Sequence, residues 1–131
     1  MGSFSDHWEN EILDHLFGKG SYTPPTVYVG LSTADPGDDG TGLSEPAGNG
    51  YARVATAAAD WNAASGGMLD NANAIAFAEA TGGWGTVTHF ALFDASSGGN
   101  LLAHGSLSQA KTITMGDTAQ FAAGDLDVSL D

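Results

Sequence analysis

Glycine is what most constrains this chain. It supplies 19 of the 131 residues and cuts the sequence into short runs. Gly weakens the interior of helices and strands and is at home in turns. A chain so punctuated builds short strands joined by tight turns rather than a bundle of helices. Its length is that of one domain, and a hydrophobic fraction of 42% is enough for one core.

One run carries a helical period. Trp8, Ile12, Leu13, Leu16 and Phe17 fall on a single stripe. Asp6 with Glu9 three residues on is an acidic version of a capping box, and Gly18 and Gly20 close the run behind. The spacing predicts a helix over about residues 6–17. Elsewhere the period is two. Val27, Val29 and Leu31 alternate with smaller or polar residues, as do Ile75 and Phe77, and Leu126, Val128 and Leu130. Tyr51 to Ala57, Thr112 to Met115 and Ala119 to Ala122 are shorter candidates. Thr86 to Asp94 is the strongest, rich in β-branched and aromatic residues, and Leu101 to Leu107 returns beside it after a Ser-Gly turn. The expected fold is all-β, an antiparallel β-sandwich of Greek-key or jelly-roll type with one N-terminal amphipathic α-helix. Residues 1–20 are expected to form a docking or packing element. Residues 21–131 are expected to form the sandwich domain, interrupted by a long acidic Gly/Pro loop over 33–50 that is functional or mobile.

Charge removes several function classes. There are 16 acidic side chains against 3 basic ones, a formal charge of −13. The cations Lys19, Arg53 and Lys111 lie far apart, so no basic patch exists for phosphates or anionic lipid, and neither nucleic acid nor membrane is an expected partner. With no Cys there is no disulfide, thiolate site or cysteine nucleophile. The N-terminus has no basic, apolar leader, and Asp6 stands where a myristoylation motif wants Ser or Thr.

Little in the sequence points to chemistry. Asp35, Asp38, Asp39 and Glu45 are the only Ca²⁺ candidates. Counted as an EF-hand loop from Asp35, Asp39 and Gly40 fit, but Gly37 and Pro46 fall where ligands belong. The four residues read better as turn formers, with an irregular Ca²⁺ site as the alternative, and no other cofactor is expected. His7 and His15 are too far apart for one metal face. His89 and His104 lie on adjacent strands and would meet only if the register set them opposite. No nucleophile elbow or phosphate-binding loop is present, and an enzyme is not expected. The candidate interface residues are Trp8, Ile12, Leu16 and Phe17 on the helix, Pro24 and Pro25 after it, and Trp84 in a Gly-rich frame.

Three blocks carry a resemblance. They are Tyr28 to Gly37 with the Gly-rich loop leading to Gly50-Tyr51-Ala52-Arg53; Trp84 to Asp94 with Gly98 to Leu102; and Lys111 to Thr114 with Gly116-Asp117, Phe121 and Leu126 to Leu130. Together with Glu11 to His15 they resemble a family of small virion proteins of tailed bacteriophages, commonly labelled tail-fibre proteins. The resemblance spans nearly the whole chain. It implies a particle component without catalytic residues, made in the host bacterial cytoplasm and carried on the virion exterior. Its implied partners are the major capsid protein or tail proteins and further copies of itself, as a homo-oligomer such as a trimer. The chain lacks shaft repeats and heptads, which favours a capsid decoration (cement) protein or a short tail-tip subunit. The alternative is a tail-fibre, receptor- or carbohydrate-binding module that would use Trp84, Trp61 or Tyr51 on an exposed face.

Overall fold

The computed structural model describes residues 2–130. The described chain forms nine strands and one α-helix: β1 (Gly2–Phe4), α1 (Asp6–Leu16), β2 (Tyr28–Ser32), β3 (Val54–Ala55), β4 (Met68–Asp70), β5 (Ile75–Ala76), β6 (Gly85–Phe93), β7 (Leu101–Ile113), β8 (Gln120–Phe121) and β9 (Asp127–Ser129). The fold is mostly β with an N-terminal helix, as the patterning predicts. The strands are arranged as one curled seven-stranded sheet, in the order β3-β2-β6-β7-β1-β9-β4, with β5 and β8 as a separate ribbon. All pairs are antiparallel except β1 with β9, so the sheet is mixed.

The long β6–β7 hairpin is the spine, and β6 takes β2 on its other side with Leu31 opposite Phe90 and Val29 opposite Leu92. These residues face one core, joined by Val87, Leu102, Leu126, Val128 and the aromatic group of Phe77 and Trp84. Both outer strands are short, two and three residues, which leaves little exposed edge for stray pairing. The connection from β3 to β4 ties them together: Asn62 donates its backbone N–H to the Asp70 carbonyl, and Trp61 bridges to Asn71.

Two elements lie beyond the reach of hydrophobic patterning. Gly2-Ser3-Phe4 has no alternation, yet it is threaded between β7 and β9. Gly2 is needed there: a Cβ would stand 2.5 Å from the Phe90 ring and 2.6 Å from the His104 carbonyl oxygen. Met68–Asp70, straight after two glycines, pairs with β9.

The helix begins one residue after Ser5, whose hydroxyl accepts from the Trp8 N–H. No residue of α1 is fully buried. Trp8 is fixed by its indole N–H, which donates to the Tyr22 hydroxyl, and by ring contact with Phe4. The far end is open: Leu13, Leu16 and Phe17 are 53%, 70% and 75% exposed.

Candidate binding surfaces

The 33–50 loop is built by its own Asp residues and then fastened to the sheet. Asp35 accepts from the Gly37 N–H at 3.0 Å, and Asp39 accepts from both the N–H and the hydroxyl of Thr41. Those two Thr41 bonds hold the Asp39 carboxyl below its ordinary pKa. His104 on β7 meets the loop from below, with Nε2 2.9 Å from Asp38 and Nδ1 3.7 Å from Asp35. The Asp38 carbonyl accepts from the Asp6 N–H at the start of α1.

The loop's far half closes on Arg53. Its guanidinium makes a two-pronged contact with Glu45, Nη2 to Oε1 at 2.6 Å and Nε to Oε2 at 3.0 Å. Nη1 donates to the carbonyls of Ala95 and Gly98. The same guanidinium lies 3.4 Å above the Phe93 ring. Glu45 also accepts from the Tyr51 hydroxyl at 2.6 Å, and that hydroxyl accepts from the Leu31 N–H. Burial first, and the bond to Glu45 second, push the Tyr51 phenol well above its ordinary pKa. This layer covers the outer face of β2 and β6, which is why Phe90, Ala91, Leu92 and Phe93 are all buried although they alternate in direction.

The Ca²⁺ candidates are thus drawn in different directions. Asp35 and Asp38 meet at His104, Asp39 turns onto Thr41, and Glu45 goes to Arg53. Among the described residues no three His, Asp or Glu side chains are placed so that they could hold one metal ion. His89 and His104 are not opposite each other: His89 pairs with Ser106, and His104 with Ala91. The His89 ring contacts the Thr88 hydroxyl at 2.7 Å and lies 3.4 Å from Ser106.

The interface candidates separate into three groups. Trp84 is 4% exposed, and its indole donates to the Asn49 carbonyl against Tyr51 and Phe77, so its ring belongs to the core. Trp8 and Ile12 are half-buried and line an apolar groove of about 330 Å³, together with Phe4, Trp61, Leu92 and Leu130. Its twelve lining residues include no ionisable side chain. Leu16 and Phe17 project from the helix beyond it, and Pro24 is exposed while Pro25 is half-buried. Trp61 is half-buried in that groove with its indole N–H donating to the Thr56 hydroxyl, and Tyr51 is held by Glu45 and Leu31 against Trp84 and Phe77. The Arg53 node itself has no local signature in the sequence. The available clue was that Arg53 is the one arginine among 16 acids.

The family model described as podophage GP4 fiber I protein gp80 matches residues 3–129 of this chain. The chain belongs to that family. A comparison with curated proteins found no match. Membership makes this fibre-family chain a structural component of a phage, carried in the virion in association with other virion proteins. The match takes in all of β1 but Gly2, the helix, the Asp-rich loop and β9, so nearly the whole curled sheet is the family's unit.

Proposed function

We propose that this fibre-family chain is a non-enzymatic subunit on the outside of the particle, attached through the apolar side of α1. The observation that carries the reading is a helix with no fully buried residue whose Leu13, Leu16 and Phe17 stand in solvent beside an uncharged groove. Apolar side chains so arranged, in a chain of charge −13, mark a surface that is covered when the protein works. The compact curled sheet of the described residues suits a capsid decoration (cement) protein or a short tail-tip subunit, working as a homo-oligomer whose linked contacts add to one another.

The test is a phage carrying Leu16→Ser and Phe17→Ser. Both side chains are exposed, so the free protein should melt as the wild type does. Particles should lose the subunit, seen by gel densitometry and as missing density in a cryo-EM map. Full occupancy would overturn the attachment, and the position of wild-type density decides between shell and tail tip.

A further inference from the structure

The chain before β2 divides into a unit and a hinge. Among the described residues, the hydrogen bonds of Phe17–Tyr22 all return to α1. Lys19 and Gly20 donate to the Asp14 carbonyl, and Tyr22 donates to the His15 ring and accepts from the Trp8 indole. Thr23–Thr26 then make no hydrogen bond, and contact with the body resumes at Val27, whose carbonyl accepts from Thr56. Residues 2–22 are therefore one arm, joined to the rest by Thr23-Pro24-Pro25-Thr26. We propose that copies of this chain exchange the arm, so that β1 of one copy fills the slot between β7 and β9 of the next. The inference rests on the reading of the chain as a homo-oligomer.

The slot names its occupant. β7 and β9 are joined in the sheet only through β1. Gly2–Phe4 pair with Ala103–Gly105 on one side, and Gly2–Ser3 with Val128–Ser129 on the other. The Ser129 hydroxyl donates to the Gly2 carbonyl, and the Ser5 N–H to the Leu102 carbonyl. A side chain in place of Gly2 would strike the Phe90 ring and the His104 carbonyl, so the slot is cut for this strand. Each body needs one β1 to close its sheet. The same bonds form whether that strand comes from its own chain or from a neighbour, so exchange forfeits none of them.

Two features favour the neighbour. The first is the hinge. Adjacent prolines hold it extended, and the residue before each is biased away from the helical region. A flexible hinge would present the arm to its own body at high effective concentration. A stiff one takes much of that advantage away. The second is the seam between arm and body. The apolar groove of about 330 Å³ runs along it, with Phe4, Trp8 and Ile12 on the side of the arm and Trp61, Leu92 and Leu130 on the side of the body. No residue of α1 is fully buried. A seam packed for permanence leaves few gaps larger than a water molecule. This arm is held by β1 in its slot far more than by its helix.

The chain has no Cys, so thiols can be placed at will. Ser3 and Ser129 are register partners across β1 and β9, and both are half-buried. The experiment joins Ser3→Cys, Ser129→Cys full-length protein with a short bis-maleimide and reads a denaturing gel. A ladder above the single-chain band is expected, with none from either single variant. Adding Pro24→Gly and Pro25→Gly should turn much of that ladder into product linked within one chain, because the softened hinge lets the arm fold home. Linkage within one chain in the parent variant, or a ladder unchanged by the softened hinge, overturns the exchange. Light scattering on the same samples separates the readings. Several copies per particle of protein with linkage inside each chain would leave the homo-oligomer standing without exchange, and a single copy at every concentration would remove both.

Particle attachment is read apart from this. Leu16→Ser, Phe17→Ser protein that is missing from phage but still gives the ladder would keep the exchange. Protein that occupies phage but links only within its own chain would keep the attachment alone.

Discussion

Removing Arg53 tests the load on the loop layer most directly. Its side chain is 5% exposed and that of its partner Glu45 19%, so the pair is shielded from screening by solvent. In Arg53→Leu the Glu45 carboxylate keeps the Tyr51 hydroxyl but loses both guanidinium bonds, and the carbonyls of Ala95 and Gly98 lose their donor. Breaking one side of a buried pair costs about 3–5 kcal/mol. Glu45 retains some water, which places the cost near the lower end, about 3 kcal/mol. The lost contact with Phe93 is included in that figure. For a domain of this size the melting temperature should fall by about 12 °C. Arg53→Lys keeps the charge but not the two-pronged contact, and should cost about half as much.

Urea unfolding of Arg53→Leu, Glu45→Gln and the double variant separates the pair from the packing around it. The two side chains touch, so the effects should not add, and the coupling should be about 2 kcal/mol. A coupling below about 0.5 kcal/mol would mean that Arg53 acts through its carbonyl contacts and the Phe93 ring, and would refute the ion pair as the clasp of the loop.

Two further outcomes concern the same layer. The Tyr51 phenol is raised in the folded state, so its contribution is fully present below the ordinary tyrosine value near 10 and is lost as pH rises beyond it. Urea midpoints should therefore drop from pH 9 to pH 11, less steeply in Tyr51→Phe; equal slopes would rule Tyr51 out as the cause. Gly30→Ala would place a Cβ 2.8 Å from the Tyr51 hydroxyl and 2.9 Å from the Phe93 ring. Such overpacking should cost about 1–3 kcal/mol, and an unchanged melting curve would show that the loop layer can lift from the sheet.

The helix, the β6–β7 hairpin and β2 were legible because each is long enough to show its period. Observed helix bounds fall within one residue of the expected ones. What was not legible depends on partners distant in sequence. Gly2–Phe4 is a strand because Ala103–Gly105 and Val128–Ser129 are already in place on either side. Trp84 sits in a Gly-rich frame that suggests exposure, but Asn49, Tyr51 and Phe77 enclose it. Arg53 and Glu45 are eight residues apart with a turn between them, and nothing local announces that they meet. The loop's length suggested mobility, while its carboxylates tie it to the sheet at His104 and Arg53.

The acidity of the chain has a source within the fold. Asp35, Asp39, Asp60, Asp94, Asp117 and Asp125 each accept a backbone N–H from a residue two to six positions away, so they build turns. At Asp60 the bond from Ala57 and then that from Asn73 lower the carboxyl pKa. At Asp94 burial pushes up, but the two bonds from Asn100 outweigh it. Stability from these lowered groups is present above about pH 4 and is lost as pH falls through their folded values. A short side chain that accepts a backbone bond is what a Gly-rich β chain needs at its corners, and Asn supplies one too. Replacing the four residues Asp39, Asp60, Asp117 and Asp125 by Asn keeps an acceptor at each turn and moves the net charge from −13 to −9. If turn geometry is what these residues contribute, and mutual repulsion is its side effect, the wild type should melt higher as NaCl is added. The fourfold variant should melt at least as high as the wild type at low salt and respond less to salt. A lower melting temperature at low salt would show that the negative charge itself strengthens these turn bonds by more than the repulsion it adds.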